Sequence, residues 1–124
     1  MEKVQLIKNS RFINNKATTN LMNVLYSIIE MSNTTFVDNI ALEVNHGITL
    51  IGSDAKISNI RVNYLNKTFL NSTEYNVDTG FFNLNYRSSM KMSRSFLQNC
   101  RGSIGSVFTV TGGSELTIDK NSTI

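Results

Sequence analysis

Apolar and polar residues alternate along this chain in short pieces of four to six residues, separated by clusters of Asn, Ser, Gly and Asp. Val4 and Leu6 lead to Phe12, and after Asn15 a polar corner precedes Val24-Leu25-Tyr26-Ser27-Ile28. The next passage carries Ile29, Met31 and Phe36, a corner over residues 43–47, and Ile48-Thr49-Leu50-Ile51. A third runs Ile57, Ile60 and Val62, makes a long polar excursion, and resumes at Gly80-Phe81-Phe82-Asn83-Leu84. A fourth runs Met90, Met92 and Phe96, then Gly102 to Gly105, then Val107-Phe108-Thr109-Val110; Leu116 and Ile118 open a fifth. Period-two alternation in pieces this short, bounded by turn formers, predicts strands. Residues 20–31 are long enough for a helix, but their β-branched content and their alignment with the other passages assign them to strand.

The passages are copies of one unit. Asn9-Ser10-Arg11-Phe12-Ile13-Asn14-Asn15-Lys16-Ala17 returns as Asn33-Thr34-Thr35-Phe36-Val37-Asp38-Asn39-Ile40-Ala41. More worn copies start at Asn59 and Ser93, and Asn121-Ser122-Thr123-Ile124 begins another. With Phe12, Phe36, Val62, Phe96 and Ile124 as anchors, the spacings are 24, 26, 34 and 28 residues. A period of this length is the signature of a solenoid. In a coiled sheet, equivalent positions stack at the strand spacing of about 4.8 Å. Asn9, Asn33, Asn59 and Asn121, each three residues before an anchor, are then expected to form a column of amides that bond to one another, and Asn also tolerates left-handed corners. Phe12, Phe36, Val62 and Phe96 are expected to stack beside them. Asn15, Asn39 and Asn99 follow three residues after their anchors, with Asn66 slipped by one. Asn23, Gly47, Gly80 and Gly105 are aligned as one second-strand corner suited to positive φ.

The third passage is longer by about eight residues, which places an insertion loop at about 67–78. Insertions in solenoids become loops on one flank, where binding residues gather. Phe69, Leu70 and Tyr75 are its candidate interaction residues. The expected architecture is all-β: a parallel β-helix of about four to five coils, one domain spanning 1–124.

Composition narrows this picture. Apolar residues make up 40% of the chain and charged residues 17%, so a core is available and wholesale disorder is not expected. Asn, Ser and Thr number 43 of 124 and proline is absent, which suits ladders in which each turn of chain bonds to the next. No apolar run approaches the length of about 20 residues that spans a bilayer, so no membrane insertion is expected. The first apolar stretch ends at Lys8, too soon for a signal-peptide core. The compartment is not fixed by these residues: cell surface if the chain is part of a longer secreted protein, otherwise within a protein assembly. No amphipathic helix covers the terminal coils, and open solenoid ends expose a row of backbone groups. The expectation is a fragment or a docked subunit, with protein partners or a second copy at the open ends.

Candidate chemistry is sparse. Cys100 is the single cysteine, which rules out an internal disulfide framework and a thiolate zinc site; it is read as a small side chain on a turn. His46, the single histidine, is read as a turn residue before Gly47. Net charge is +3, and residues 80–114 hold Arg87, Lys91, Arg94 and Arg101 without an acid. They are read first as solvated side chains and second as a basic face for an acidic glycan or phosphate. No groove-reading helix or aromatic RNA motif accompanies them, so nucleic acid is not expected. Glycan cleavage in a coiled sheet requires carboxylates projecting from neighbouring coils at one strand position. The nine acids fall at unmatched offsets, and Asp38, Asp54 and Asp78 converge only if the corners fold together. No catalytic, cofactor-binding or metal residue is assigned. Sequons occur at Asn33, Asn66, Asn71 and Asn121; Asn66 and Asn71, beside the insertion, are the candidate glycosylation sites.

The unit Asn/Ser-Ser/Thr-x-Phe-x-x-Asn-x-Ala, followed by corner, Gly and strand, resembles the right-handed parallel β-helix of the pectin-lyase-like superfamily. More narrowly, Ser10-Arg11-Phe12-Ile13-Asn14-Asn15-Lys16-Ala17 resembles the Phe-x-x-Asn-x-Ala repeats of polymorphic outer membrane-type proteins, and similar repeats fill Asn-rich surface proteins of protists, ciliates especially. The first two copies match well; the third lacks Phe and Ala, and the fourth has Cys100 in the place of Ala or Ile. The resemblance implies a right-handed coil. It spans adhesins, autotransporter passengers, tailspikes and polysaccharide-cleaving enzymes. The function expected is a non-catalytic structural or adhesive module, a scaffold for protein interaction or surface recognition, with glycans among its candidate ligands. The alternatives are a polysaccharide-active lyase or hydrolase-like enzyme, or its remnant, and an accessory subunit of a large assembly.

Overall fold

A computed structural model describes residues 4–17, 20–41, 46–63, 81–98 and 107–124. The strands are β1 (Val4–Lys8), β2 (Arg11–Ile13), β3 (Lys16–Ala17), β4 (Asn20–Leu25), β5 (Ile28–Val37), β6 (Ile40–Ala41), β7 (His46–Ile51), β8 (Asp54–Asn63), β9 (Phe82–Asn85), β10 (Ser89–Ser93), β11 (Phe96–Gln98), β12 (Phe108–Val110) and β13 (Glu115–Ile118). They stack in parallel as a β-solenoid. The first sheet has the order β1-β5-β8-β10-β13, with β2 on β5 and β11 on β8; the second is β12-β9-β7-β4; the third is β3-β6. With residues 64–80 outside the description, about three turns of the coil are traced.

Register follows the repeat. Ile28 lies opposite Val4 and Asp54, and Ser89 lies opposite Asp54 and Glu115. Phe12 lies opposite Phe36, and Phe36 opposite Val62. The fourth rung corrects the alignment drawn from sequence. Leu97, not Phe96, stands opposite Val62, and Phe96 pairs with Arg61. A slip of one residue turns a side chain to the other face of a strand. Accordingly Leu97 is buried, while Phe96 is on the outside and 40% exposed.

The core lies between the sheets. Ile29, Ala55 and Met90 form one inward column, Met31, Ile57 and Met92 another, and Ile48 packs in register with Phe82. Phe12 stacks on Phe36 with centroids 4.8 Å apart, Phe36 meets Phe81 edge-on at 5.2 Å, and Phe82 stacks on Phe108 at 5.5 Å. Burying an aromatic or aliphatic side chain of this size stabilises by about 1.5–3 kcal/mol, and stacked rings add to that.

The second sheet also departs from expectation. Met22 pairs with Ile48 and Ile48 with Phe82, so Gly47 aligns with Leu21 and Phe81, not with Asn23 and Gly80. Gly47 is no corner. It lies inside β7, where a Cβ would stand 2.4 Å from the Phe81 ring. The glycine makes room for a core aromatic. Gly80 and Gly105 lie outside the described residues.

The corners themselves are residues with positive φ. One corner of the first sheet uses Asn9, Asn33, Asn59 and Arg94, at φ 48–53°. The corner leading back to that sheet uses Tyr26 (49°), Gly52 (57°), Tyr86 and Arg87 (59° and 58°) and Gly112 and Gly113 (64° and 76°). A column of serines follows it. The backbone N–H of Ser27 donates to Ser53 Oγ, that of Ser53 to Ser88 Oγ and that of Ser88 to Ser114 Oγ, at 3.0–3.1 Å. Serine hydroxyls thereby satisfy corner amides that the ladder leaves open. Among the described residues there is no helix long and apolar enough to cross a membrane.

Candidate ligand-binding groove

Along the first sheet, the left-handed corner folds the strand and leaves two hollows on the outside. The residues before the corner are Lys8, Ser32, Ser58 and Ser93; those two positions after it are Arg11, Thr35, Arg61 and Phe96. Between them run Asn9, Asn33, Asn59 and Arg94. Asn33 Nδ2 donates to Asn9 Oδ1 at 3.1 Å, and Asn59 Nδ2 donates to Asn33 Oδ1. These amides face out: Asn9, Asn33 and Asn59 are all exposed. Each donor in the row spends one of its two Nδ2 hydrogens on its neighbour and keeps the other for solvent or a ligand. The row does not reach Asn121. Arg94 occupies the next rung after Asn59, at the same position.

The hollow on one side of the row has a volume of about 400 Å³ and is lined by the three asparagines with Ser10, Arg11, Thr35 and Arg61. That on the other, about 440 Å³, is lined by Ser32, Asn33, Ser58, Asn59 and Arg94. A smaller hollow of about 200 Å³ continues from Thr35 and Arg61 to Phe96 and Gln98. Among the described residues no carboxylate lines any of the three. No ion pair among the described residues engages Arg11, Arg61 or Arg94. Among the described residues the surface therefore presents guanidinium and amide donors with no acceptor of opposite charge.

The second asparagine column has a different environment. Asn39 is fully buried. Its Oδ1 accepts from the backbone N–H and the Nδ2 of Asn15, both at 2.9 Å, and its Nδ2 donates to the Phe12 carbonyl at 2.7 Å. That side chain holds the turn between rungs and is closed to ligands.

The basic residues singled out from sequence do not gather in one place. Arg87 sits at the opposite corner, Lys91 in the middle of the first sheet and Arg94 at the asparagine row. Lys91 stacks outside with Lys56 and Glu30 in a hollow of mixed charge, where Ser89 Oγ donates to Asp54 Oδ1 at 2.6 Å. Asp38 and Asp54 are apart: Asp54 lies opposite Ile28 at one end of β5, and Asp38 follows the other end. Among the described residues no three His, Cys, Asp or Glu converge on a metal position. His46 begins β7 rather than a free turn. Asp78, Asn66, Asn71, Phe69, Leu70, Tyr75, Cys100 and Arg101 lie outside the described residues, as does the 67–78 insertion.

Arg11 and Arg61 were not singled out from sequence. The signal was present: each stands two residues after a row asparagine, Asn9 or Asn59. Comparison with protein-family models, with curated proteins and with solved structures finds no match to this chain.

Proposed function

We propose that this chain is a non-catalytic β-solenoid scaffold, structural or adhesive, that recognises a ligand on its outer face. One observation carries the reading. Outward side chains stack in rows across the rungs, and two adjacent rows, Asn9–Asn33–Asn59 and Arg11–Thr35–Arg61, line a donor-rich groove. Rows of this kind present repeated groups at the strand spacing of about 4.8 Å, which suits an extended repeating partner better than a compact substrate. The finer kinship to pectin-lyase-like and polymorphic outer membrane-type coils belongs to the same reading and rests on the Phe-x-x-Asn-x-Ala units alone. The test is a glycan array probed with the purified chain, with the bound glycans then assayed for new reducing ends and unsaturated products. Retention without product is expected. Product formation that is lost in Asp54→Asn would overturn the proposal in favour of a polysaccharide-cleaving enzyme.

A second reading has its own observation. Val4, Leu6, Ile13 and Leu25 are 40–57% exposed, and all four lie on β1, β2 and β4, the first rung of their sheets. Their partners on the next rung, Ile28, Glu30, Val37 and Ile51, place all four on the outer faces of the sheets, so they offer apolar surface for side-by-side contact within a larger assembly or with a second copy. Sedimentation velocity over a concentration series tests self-docking: a folded species that grows with concentration supports it, and a monomer throughout removes it.

A further inference from the structure

We infer that the chain forms a twofold dimer by packing the outer faces of its first sheet together, with the two coils side by side and their axes parallel. The inference rests on the side-by-side docking reading above and gives it one face and one partner, a second copy. Two outward columns carry it. One reads Val4, Ile28, Asp54, Ser89 and Glu115 over five successive rungs. The other, two residues further along each strand, reads Leu6, Glu30, Lys56, Lys91 and Thr117. Between them runs the inward column of Ile29, Ala55 and Met90, all buried. The first rung is apolar in both columns, with Val4 56% and Leu6 57% exposed. On later rungs the acids Asp54 and Glu115 stand in one column, and Lys56 and Lys91 in the other. No ion pair among the described residues engages any of these four.

A twofold axis parallel to the coil, set over the inward column, exchanges the two outward columns and keeps each rung level. Val4 of one copy then faces Leu6 of the other, Ile28 meets the methylenes of Glu30, and Asp54 faces Lys56, each contact being made twice. Glu115 comes within one rung, about 5 Å, of Lys91 on the other copy. A hollow of about 350 Å³ lies between the columns, lined by Ile28, Glu30, Asp54, Lys56, Ser89 and Lys91, with room for the lysine stems of the second copy. Sheets packed face to face lie about 10 Å apart, a gap that lysine and carboxylate side chains span between them. The opposite orientation is disfavoured. An axis along the strands keeps each column facing itself. Centred on the third rung, it sets Asp54 on Asp54 and Lys56 on Lys56. Centred half a rung earlier, it sets Val4 on Ser89 and Leu6 on Lys91, apolar on polar. Charge therefore selects the parallel arrangement by repulsion as well as attraction. The face is small: five residues by five rungs is about 13 by 19 Å. That is at the low end for a specific interface, so a dissociation constant of about 10–100 μM is expected.

Sedimentation velocity on the full 124-residue chain, from about 5 to about 500 μM, reads this dimer. Asp54→Lys alone and Lys56→Asp alone each set like charges together twice, and each is expected to raise the dissociation constant at least about tenfold. Mixed in equal amounts, the two variants are expected to form a heterodimer within about threefold of the parent affinity, because every reversed charge then meets its opposite. That rescue also shows that both variants are folded. Leu6→Ser is expected to weaken the dimer about fivefold through lost apolar contact. Lys16→Asp, the same charge change at an exposed position on β3, is expected to alter it by less than about twofold. Reversals that weaken the dimer without rescue on mixing would overturn the twofold pairing. Self-association that ignores both reversals would overturn this face, and its loss in Ile13→Ser or Leu25→Ser would leave side-by-side docking standing on another face. A monomer at every concentration would remove both readings.

Discussion

Two of the left-handed corners of this solenoid solve one backbone problem with different residues. At the first, Asn9, Asn33 and Asn59 take positive φ and link their amides. At the second, the same conformation falls to Tyr26, Gly52, Tyr86 and Arg87, and no amide row exists. Asn and Gly are ordinary in this region; a tyrosine is uncommon there. Yet the backbone bonding is alike. Asn9 N–H donates to the Ser32 carbonyl at 3.1 Å, Tyr26 N–H to that of Ile51 at 2.9 Å and Gly52 N–H to that of Asn85 at 3.3 Å. The corner is set by the bond from each rung to the next, and the side chain is left free for surface work. At the asparagine corner this surface is polar and hollow. At the tyrosine corner it is aromatic: Tyr26 and Tyr86 meet edge-on with centroids 6.2 Å apart and are 67% and 62% exposed.

Gly52→Val should break the second corner most severely. A Cβ at Gly52 would stand 2.6 Å from the Tyr26 ring, and φ is +57°. Backbone strain and overpacking together are expected to cost about 2–4 kcal/mol, read as a lowered urea midpoint. In a Tyr26→Ala background the ring part of this cost should vanish and the φ part remain. A midpoint unchanged by Gly52→Val would show that the corner does not need glycine between its tyrosines.

Asn33→Ala removes the middle of the amide row and places a less tolerant residue at φ 49°. A loss of about 1.5–2 kcal/mol is expected, and about 1 kcal/mol for Asn33→Gly, which keeps the conformation and loses the amide. The gap between the two variants, measured in one denaturant series, separates the backbone contribution from the side-chain one. If they coincide, the row alone holds that corner, and the likeness of the two corners fails.

The smallest effect is expected from Tyr86→Gly. Relief of left-handed strain, about 1–2 kcal/mol, is offset by the lost ring contact and by glycine's greater freedom when unfolded, about 0.5–1 kcal/mol each. The stability should stay within about 0.5 kcal/mol of the parent, read from the same urea midpoint. A large drop would mean that the ring, and not the bond from rung to rung, carries the corner.

Much of the fold was legible because large residues recur where the core needs them. Phe12 and Phe36 sit 24 residues apart in units of nearly equal length, and the register follows their spacing. The fourth rung misled because its aromatic, Phe96, is on the outside and its core residue, Leu97, is next to it. Hydrophobicity alone cannot tell which of two adjacent apolar residues turns inward when both neighbours are polar. Ser27, Ser53, Ser88 and Ser114 were overlooked for a related reason: serine is common in this chain, and its column acts through hydroxyl acceptance from the backbone, which leaves no hydropathy trace. The groove was illegible from charge runs, since Arg11 and Arg61 are distant in sequence and meet only after two rungs are stacked. Offsets counted from the row asparagines would have joined them.

The N–H groups of the corner residues point one way along the chain. Asn9, Tyr26, Ser27, Asp38, Gly52, Ser53, Arg87 and Ser88 each send a backbone N–H to an acceptor on the rung made later. The residues just after these corners donate the other way: Thr35, Asp54, Ser89 and Glu115 send their N–H groups to Ser10, Ser27, Ser53 and Ser88 carbonyls on the earlier rung. The stack is therefore polar: of two facing rungs, the earlier contributes the corner donors and the later their acceptors, so the two faces of any cut between rungs are not interchangeable.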